Sequence, residues 1–98
     1  MRDVRYEERF RDLTRRVTDG PGQSDAPLRR GAFDGTVPDD LAAYIEKVRL
    51  HAYKVTEADV EALKAAGYSE DQLYEITIAA ALGAGMRRYE AGMKAMRG

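Results

Sequence analysis

A chain of 98 residues forms one small domain, and its 16 basic and 17 acidic residues leave a net charge of −1, which gives no overall attraction to nucleic acid or to an anionic membrane. It contains no cysteine, which excludes disulfides, thiol catalysis and cysteine zinc sites, and its single histidine excludes a metal site built on a histidine pair. The N-terminus lacks the apolar segment of a signal peptide, and the longest apolar run is too short to cross a bilayer. We therefore expect a cytoplasmic protein with no cofactor, no metal, and neither nucleic acid nor membrane as a partner.

Residues 2 to about 18 have the pattern of an amphipathic helix. Its apolar stripe consists of residues at helical spacing: Tyr6, Phe10, Leu13 and Val17. The i,i+4 pairs Glu7–Arg11 and Asp12–Arg16 support the helix. Because acids alternate with its six arginines, this segment reads as a solvated helix face rather than as a nucleic-acid-binding arm.

A connection rich in turn residues follows and lasts to about Pro38. Within it, Ser24 or Asp25 is expected to cap a short helix that runs through Phe33. Leu28 and Phe33 are the predicted docking points of this segment on the rest of the protein. The next helix is predicted from Pro38 to about Tyr53, with one buried stripe: Leu41, Tyr44, Ile45, Val48 and Ala52.

Two capping boxes, Thr56–Asp59 and Ser69–Gln72, mark the beginnings of the last two helices. The first of these helices carries Leu63 inward and is expected to stop at Gly67, since glycine readily adopts the left-handed conformation that ends helices. A tight turn then leads into the long helix that we expect at the centre of the fold, Ser69 to Met96.

The long helix carries one predicted inner face: Leu73, Ile76, Ala80, Gly83, Ala84 and Arg87. Small side chains let another helix approach, so Ala80, Gly83 and Ala84 are predicted at the closest helix–helix contact. Gly83 and Gly85 each weaken the helix by roughly 1 kcal/mol and are candidate positions for a bend or break. Further apolar residues continue the stripe, either as core or as a contact with another subunit: Met86, Tyr89, Met93 and Met96.

No segment alternates like a strand, so the predicted class is all-α, a small helical bundle in a single domain over residues 1–98. Residues 1–38 would supply the N-terminal helix and connection, and residues 39–98 the core helices. Residues 56–76 have the spacing of a DNA-binding helix-turn-helix. Six acidic residues against one basic residue from Thr56 to Glu75 would repel phosphates, so we reject that interpretation.

Few residues can carry chemistry in this chain. His51 is the only histidine and is the candidate general acid or base, with Glu46, Tyr53 and Asp59 as candidate helpers. Each also has a structural interpretation. His51 lies near the C-terminus of its helix, where a cation is stabilised, and Asp59 belongs to a capping box. Glu46 is an ordinary residue of a solvated helix face, and Tyr53 is an amphipathic residue that can lie between core and solvent.

Residues 41–92 contain three distinctive segments: residues 51–55 (HAYKV), 62–73 (ALKAAGYSEDQL) and 75–85 (EITIAAALGAG). With these segments, residues 41–92 resemble the carboxymuconolactone decarboxylase / alkylhydroperoxidase D-like family. The resemblance implies a helical domain of the alkylhydroperoxidase D-like fold that assembles into trimers, hexamers or similar rings. We therefore expect a homo-oligomer, with a small-molecule ligand as the other class of partner left open.

Peroxidases of the family use a Cys-x-x-Cys pair, a histidine and an upstream glutamate. Aligned on the glycine of the turn, the two cysteine positions correspond to Ala52 and Val55, the histidine to Asp59, and the glutamate lies near Asp40. A shift of one residue puts His51 and Lys54 at the cysteine positions instead. Neither alignment contains a cysteine, so the resemblance extends to the fold and not to peroxidase or disulfide reductase activity.

Two functional hypotheses follow. The first is an oligomeric structural or binding protein without thiol redox chemistry. The second is a small-molecule enzyme, decarboxylase- or isomerase-like, that uses acid–base chemistry at His51. Burial separates the two, because a general acid or base works in a cleft that shifts its pKa, whereas a structural histidine can lie in the open.

Overall fold

The computed structural model describes residues 4–97, apart from the side chains of residues 4 and 6. Within these residues the chain is all-helical, as predicted, with five α-helices and one short 3₁₀ turn at Ala52–Lys54. In chain order the helices are α1 (Val4–Asp19), α2 (Ala26–Asp34), α3 (Asp39–Leu50), α4 (Glu57–Ala65) and α5 (Glu70–Arg97). One core lies between α2, α3, α4 and α5: Ala32, Leu41, Tyr44, Ile45, Leu63, Leu73, Ile76, Ala79 and Ala80.

Helix α1 packs on α2 and α5 through a face that includes Phe10 and Val17 of the predicted stripe, both half-buried as predicted. Leu13 is 44% exposed, so its placement in that stripe was wrong, whereas Thr18 is buried. Thr18 is tolerated there because its hydroxyl donates a hydrogen bond to the Thr14 carbonyl oxygen at 2.8 Å. Phe10 contacts Tyr89 of α5, with ring centroids 5.4 Å apart. The first two residues of the predicted helix and the side chain of Tyr6 lie outside the described residues.

The short helix expected within the connection is α2, and it contributes a residue to the core itself rather than only docking on its surface. Ala32 is fully buried in the core, and Leu28 and Phe33 pack against the core as predicted. Asp25 occupies the N-cap position without a side-chain capping bond. Gly35 ends the helix in the left-handed conformation, with φ of 88°.

Helix α3 ends at Leu50, three residues earlier than predicted, because the chain turns at His51 into the 3₁₀ turn. Lys54 N–H and Val55 N–H then donate to the carbonyl oxygens of His51 and Ala52, at 2.8 and 3.2 Å. Ala52 is therefore exposed, and its place in the buried stripe of α3 was wrong. The earlier members of that stripe are buried or half-buried, as predicted.

The junction between α4 and α5 follows the local signals closely. Both capping boxes are present. In the first, the Asp59 N–H donates to Thr56 Oγ1 and the Thr56 N–H donates to Asp59 Oδ2. In the second, the Gln72 N–H donates to Ser69 Oγ at 3.1 Å. Gly67 has φ of 111°, and the next amide, that of Tyr68, donates to the Leu63 carbonyl oxygen at 3.2 Å. This is a Schellman ending, and it reverses the chain within a few residues.

Helix α5 has 28 residues, a length of roughly 42 Å, and continues without a break through Gly83 and Gly85. Its predicted inner face is buried through Ala84, and Ala79 joins it, whereas Arg87 is exposed and its place on that face was wrong. Of the later apolar residues, Met86, Tyr89 and Met93 are half-buried, whereas Met96 is 77% exposed.

Gly83 lies directly against the backbone of α2. A Cβ atom built on Gly83 would overlap the Phe33 carbonyl oxygen and lie 2.7 Å from the carbonyl carbon. The same carbonyl oxygen accepts hydrogen bonds from Arg87 Nη1 and Arg49 Nη1, each at 2.9 Å. Gly83, which the sequence predicts at a close helix–helix contact, therefore contacts the backbone of α2.

Glu75 attaches the loop before α2 to α5. Its carboxylate accepts hydrogen bonds from the Gln23 N–H at 2.7 Å, the Ser24 N–H at 2.9 Å and the Ser24 hydroxyl at 2.7 Å. Burial alone raises the pKa of Glu75, but these hydrogen bonds and the nearby charge of Arg29 outweigh it, so the pKa lies below its usual value. Ser24 thus serves as a donor to Glu75 rather than as the cap of α2.

We expect Gly83→Ala to lower the free energy of unfolding by roughly 1–3 kcal/mol, because the added methyl group meets backbone atoms of α2 that cannot move aside alone. Gly85→Ala is the matched control on the same helix, since nothing lies within 4 Å of its Cβ position. In the single chain Gly85→Ala should stabilise the protein by about 0.5–1 kcal/mol through helix propensity, so both variants are compared at a concentration at which wild type is monomeric. Chemical unfolding measures both changes, and equal stability of the two variants would contradict the close contact.

We expect Glu75→Gln to lower the free energy of unfolding at pH 7 by roughly 1–3 kcal/mol, because one amide oxygen replaces a charged acceptor of three hydrogen bonds. The depressed pKa stabilises the fold above the unfolded value near 4.5, and this stabilisation is lost as the pH falls through the lower folded-state pKa. The difference between wild type and variant should therefore shrink in acid. Glu90→Gln, at an exposed position of α5, is the control, and a difference independent of pH would contradict the assignment.

Candidate functional site

The predicted catalytic residue, His51, is exposed and occupies the C-cap position of α3. Its ring meets the ring of Tyr53 edge-on, with centroids 6.1 Å apart, and Tyr53 is itself 81% exposed. The structure therefore brings these two predicted site residues together, on an open surface. Glu46 is also exposed, on α3.

Asp59 is held in structural interactions. It completes the capping box of α4 and accepts a hydrogen bond from Lys47 Nζ at 2.8 Å. The hydrogen bond from Lys47, followed by that from the Thr56 amide, lowers the pKa of Asp59 below its usual value. An aspartate stabilised as an anion in this way suits a capping and ion-pairing role better than proton transfer at neutral pH.

The exposure of His51 and Tyr53 counts against acid–base catalysis, because a general acid or base is tuned by a cleft that excludes water. The assignment of His51, Glu46, Tyr53 and Asp59 as catalytic residues stays a prediction. Ala52 and Val55, at the positions of the family's cysteines, lie at the start and just after the end of the 3₁₀ turn.

A surface that sequence reasoning missed lies along α5, on the side away from the core. We call it the outer face of α5, and its residues recur at intervals of three, four or seven: Tyr74, Ile78, Ala81, Gly85 and Gly92. Tyr74 is 69% exposed and Ile78 37% exposed. The signal in the sequence was the middle of α5, which is apolar around most of its circumference, a pattern typical of helices covered on every side.

Charge is distributed unevenly along the same helix. Glu70 and Asp71 are exposed in its first turn, whereas Arg88 lies towards its C-terminal end. The apolar stretch of the outer face lies between these two charged ends. No other residue covers that stretch closely at Gly85 or Gly92, since nothing lies within 4 Å of a Cβ atom built on either glycine.

The chain is elongated for its mass. It exposes 6847 Å², about 1,200 Å² more than the roughly 5,600 Å² expected for a compact monomer of 10.9 kDa. Its radius of gyration is 14.6 Å, against about 12.6 Å for a compact domain of this length. The long α5 is the main reason, because its length is close to the longest dimension of the protein, 48 Å.

Comparison with known protein families, curated proteins and solved structures finds no match to this chain. Among the described residues, no helix is both long and apolar enough to cross a membrane.

We expect Asp59→Ala and Thr56→Ala to destabilise the protein, Thr56→Ala by about 1 kcal/mol, because each removes half of the capping box of α4. His51→Gln should change the free energy of unfolding by less than about 0.5 kcal/mol, since His51 is exposed. Denaturant titrations of the three variants test this. A His51→Gln loss as large as that of Thr56→Ala would contradict the open placement of His51.

Proposed function

We propose that this chain is a helical protein of the alkylhydroperoxidase D-like / carboxymuconolactone decarboxylase-like type, without thiol redox chemistry, and that it acts as an oligomeric structural or binding protein. The resemblance of residues 41–92 and the absence of cysteine support the first part. The outer face of α5 is the single observation that carries the second part, and it is the proposed contact between subunits.

An apolar helix face of this kind is stabilised when another surface removes it from water. Tyr74 and Ile78 are the large exposed apolar residues of this face, and the small residues Ala81, Gly85 and Gly92 leave room for a second backbone to approach closely. Another α5 fits this description, because it offers the same large residues at one end and the same small residues at the other. An antiparallel pair would place the bulky end of one helix against the small end of its copy.

Charge favours the same antiparallel arrangement. With a twofold axis near Ala81, Arg88 of one subunit comes within about one helical turn of Asp71 of the other, and the two helix dipoles oppose each other. A parallel pair would instead place the acidic first turns side by side. Such a twofold contact closes a dimer by itself and, combined with a separate threefold contact, is one of the contacts in a hexamer.

The exposed area of the chain is compatible with a further contact. A standard protein–protein interface removes about 800 Å² from each partner, and the chain as a whole exposes about 1,200 Å² more than a compact monomer, an excess that is not confined to the outer face of α5. The core of a chain of 98 residues is small, so burial between subunits would add substantially to stability.

The experiment is the molar mass in solution, from sedimentation equilibrium or light scattering at micromolar concentration. We expect wild type to be a homo-oligomer and Ala81→Arg to dissociate, because two arginines would meet near the twofold axis. Ala91→Arg is the matched control, since it makes the same change at an exposed position of α5 outside the outer face. Both substitutions keep helix propensity high.

A wild-type monomer at these concentrations would contradict the oligomer. An oligomer that survives Ala81→Arg unchanged would contradict the outer face of α5 as the contact and leave another surface to be found. If both variants dissociate equally, the effect of the added charge does not depend on its position on α5, which would also contradict the outer face as the contact.

A further inference from the structure

Arg29 of α2 is an arginine buried inside this small protein, only 5% exposed. Its Nη1 donates a hydrogen bond to the Val17 carbonyl oxygen at 3.1 Å. Its Nε–H is buried and has no hydrogen-bond partner among the described residues. A guanidinium group has five N–H donors, and burying a charge is costly unless its donors are bonded. The Nε–H of Arg29 is thus a buried donor left without a partner among the described residues.

Glu75 is the neighbouring acid, and its charge interacts with Arg29. The carboxylate oxygens of Glu75 are directed instead to the loop before α2, where they accept the hydrogen bonds of Gln23 and Ser24. Glu75 therefore offsets the charge of Arg29 from a distance without bonding its remaining N–H groups.

Arg29 lines a cavity of about 160 Å³ between α1, α2 and α5, and this cavity is open to solvent because Arg16, Pro21 and Ile78 in its wall are exposed. Apolar and charged residues share its wall: Arg16, Val17, Pro21, Arg29, Glu75 and Ile78. Two arginines and one glutamate give the wall a net charge of +1. The cavity thus combines a buried, incompletely bonded cation with an apolar surface beside it.

We propose that this cavity binds a small carboxylate with a short apolar tail, its carboxylate accepting hydrogen bonds from the guanidinium of Arg29. The planar fork of arginine matches the two oxygens of a carboxylate. One negative charge balances the wall, whereas Glu75 would repel a phosphate dianion. The cavity volume of about 160 Å³ equals that of roughly five water molecules in the liquid, which is room for a short-chain acid. Val17, Pro21 and Ile78 would contact the tail.

The residues that line the cavity come from a single chain, but Ile78 among them also belongs to the outer face of α5. The test is therefore a titration of the full chain, labelled with ¹⁵N and ¹³C, with sodium propionate at pH 7, carried out on wild type and on Ala81→Arg so that propionate binding is separated from self-association. Sodium chloride at matched ionic strength serves as the reference. We expect saturable shifts of the Arg29 Nε–H and the Ile78 methyl resonances, and weaker binding of formate, which lacks the apolar tail.

Arg29→Gln should weaken propionate binding by about tenfold or more, the loss expected for charged hydrogen bonds. Arg30→Gln is the matched control, because the neighbouring Arg30 is exposed and paired with Asp19 at 2.6 Å. Propionate affinity should survive that change. If Arg29→Gln does not fold, Arg29→Lys provides the comparison, since lysine retains the charge and loses the planar fork.

Three results would overturn the proposal. The first is shifts that follow ionic strength alone, with propionate and chloride giving the same response. The second is propionate binding that persists in Arg29→Gln or Arg29→Lys at wild-type affinity. The third is tighter binding of inorganic phosphate than of propionate at the Arg29 Nε–H, which would exclude carboxylates as the preferred class.

Discussion

The contact between Gly83 and the Phe33 carbonyl group is the constraint on which the arrangement of helices depends. Because Gly83 has no side chain, the backbone of α2 lies directly on α5. The carbonyl oxygen at this point also accepts hydrogen bonds from Arg49 of α3 and Arg87 of α5. One carbonyl group thus joins three helices, and positive side chains meet the negative C-terminal end of α2, where cations are favoured.

Charged groups also hold the N-terminal part of the protein in place. Glu75 bonds the loop before α2, Arg30 pairs with Asp19, and Arg29 reaches back to the last turns of α1. A lean apolar core leaves these polar contacts a larger share of the stabilisation than in a bigger domain. The small number of apolar side chains also accounts for the cavity beside Arg29, since few of them are available to fill the space between α1 and α5.

The proposed function rests on a surface of α5 rather than on the predicted catalytic residues. The chain has no cysteine, and its one histidine lies in the open at the end of α3. Helix α5, by contrast, has two apolar sides and only one core to cover them. A long helix in a small protein exposes area that a compact shape would bury, and association of subunits is the simplest physical means of covering it.

The sequence by itself determined the helical class, both capping boxes, the ending at Gly67 and the small residue at Gly83. These signals are local, because a cap or a helix period depends on residues three or four positions apart. Only the tertiary structure decided that Leu13 and His51 are exposed, that Glu75 meets Ser24 and that Arg29 is buried. Partners about 50 residues apart leave no local pattern, and which side of an apolar helix is covered depends on how the other helices pack around it.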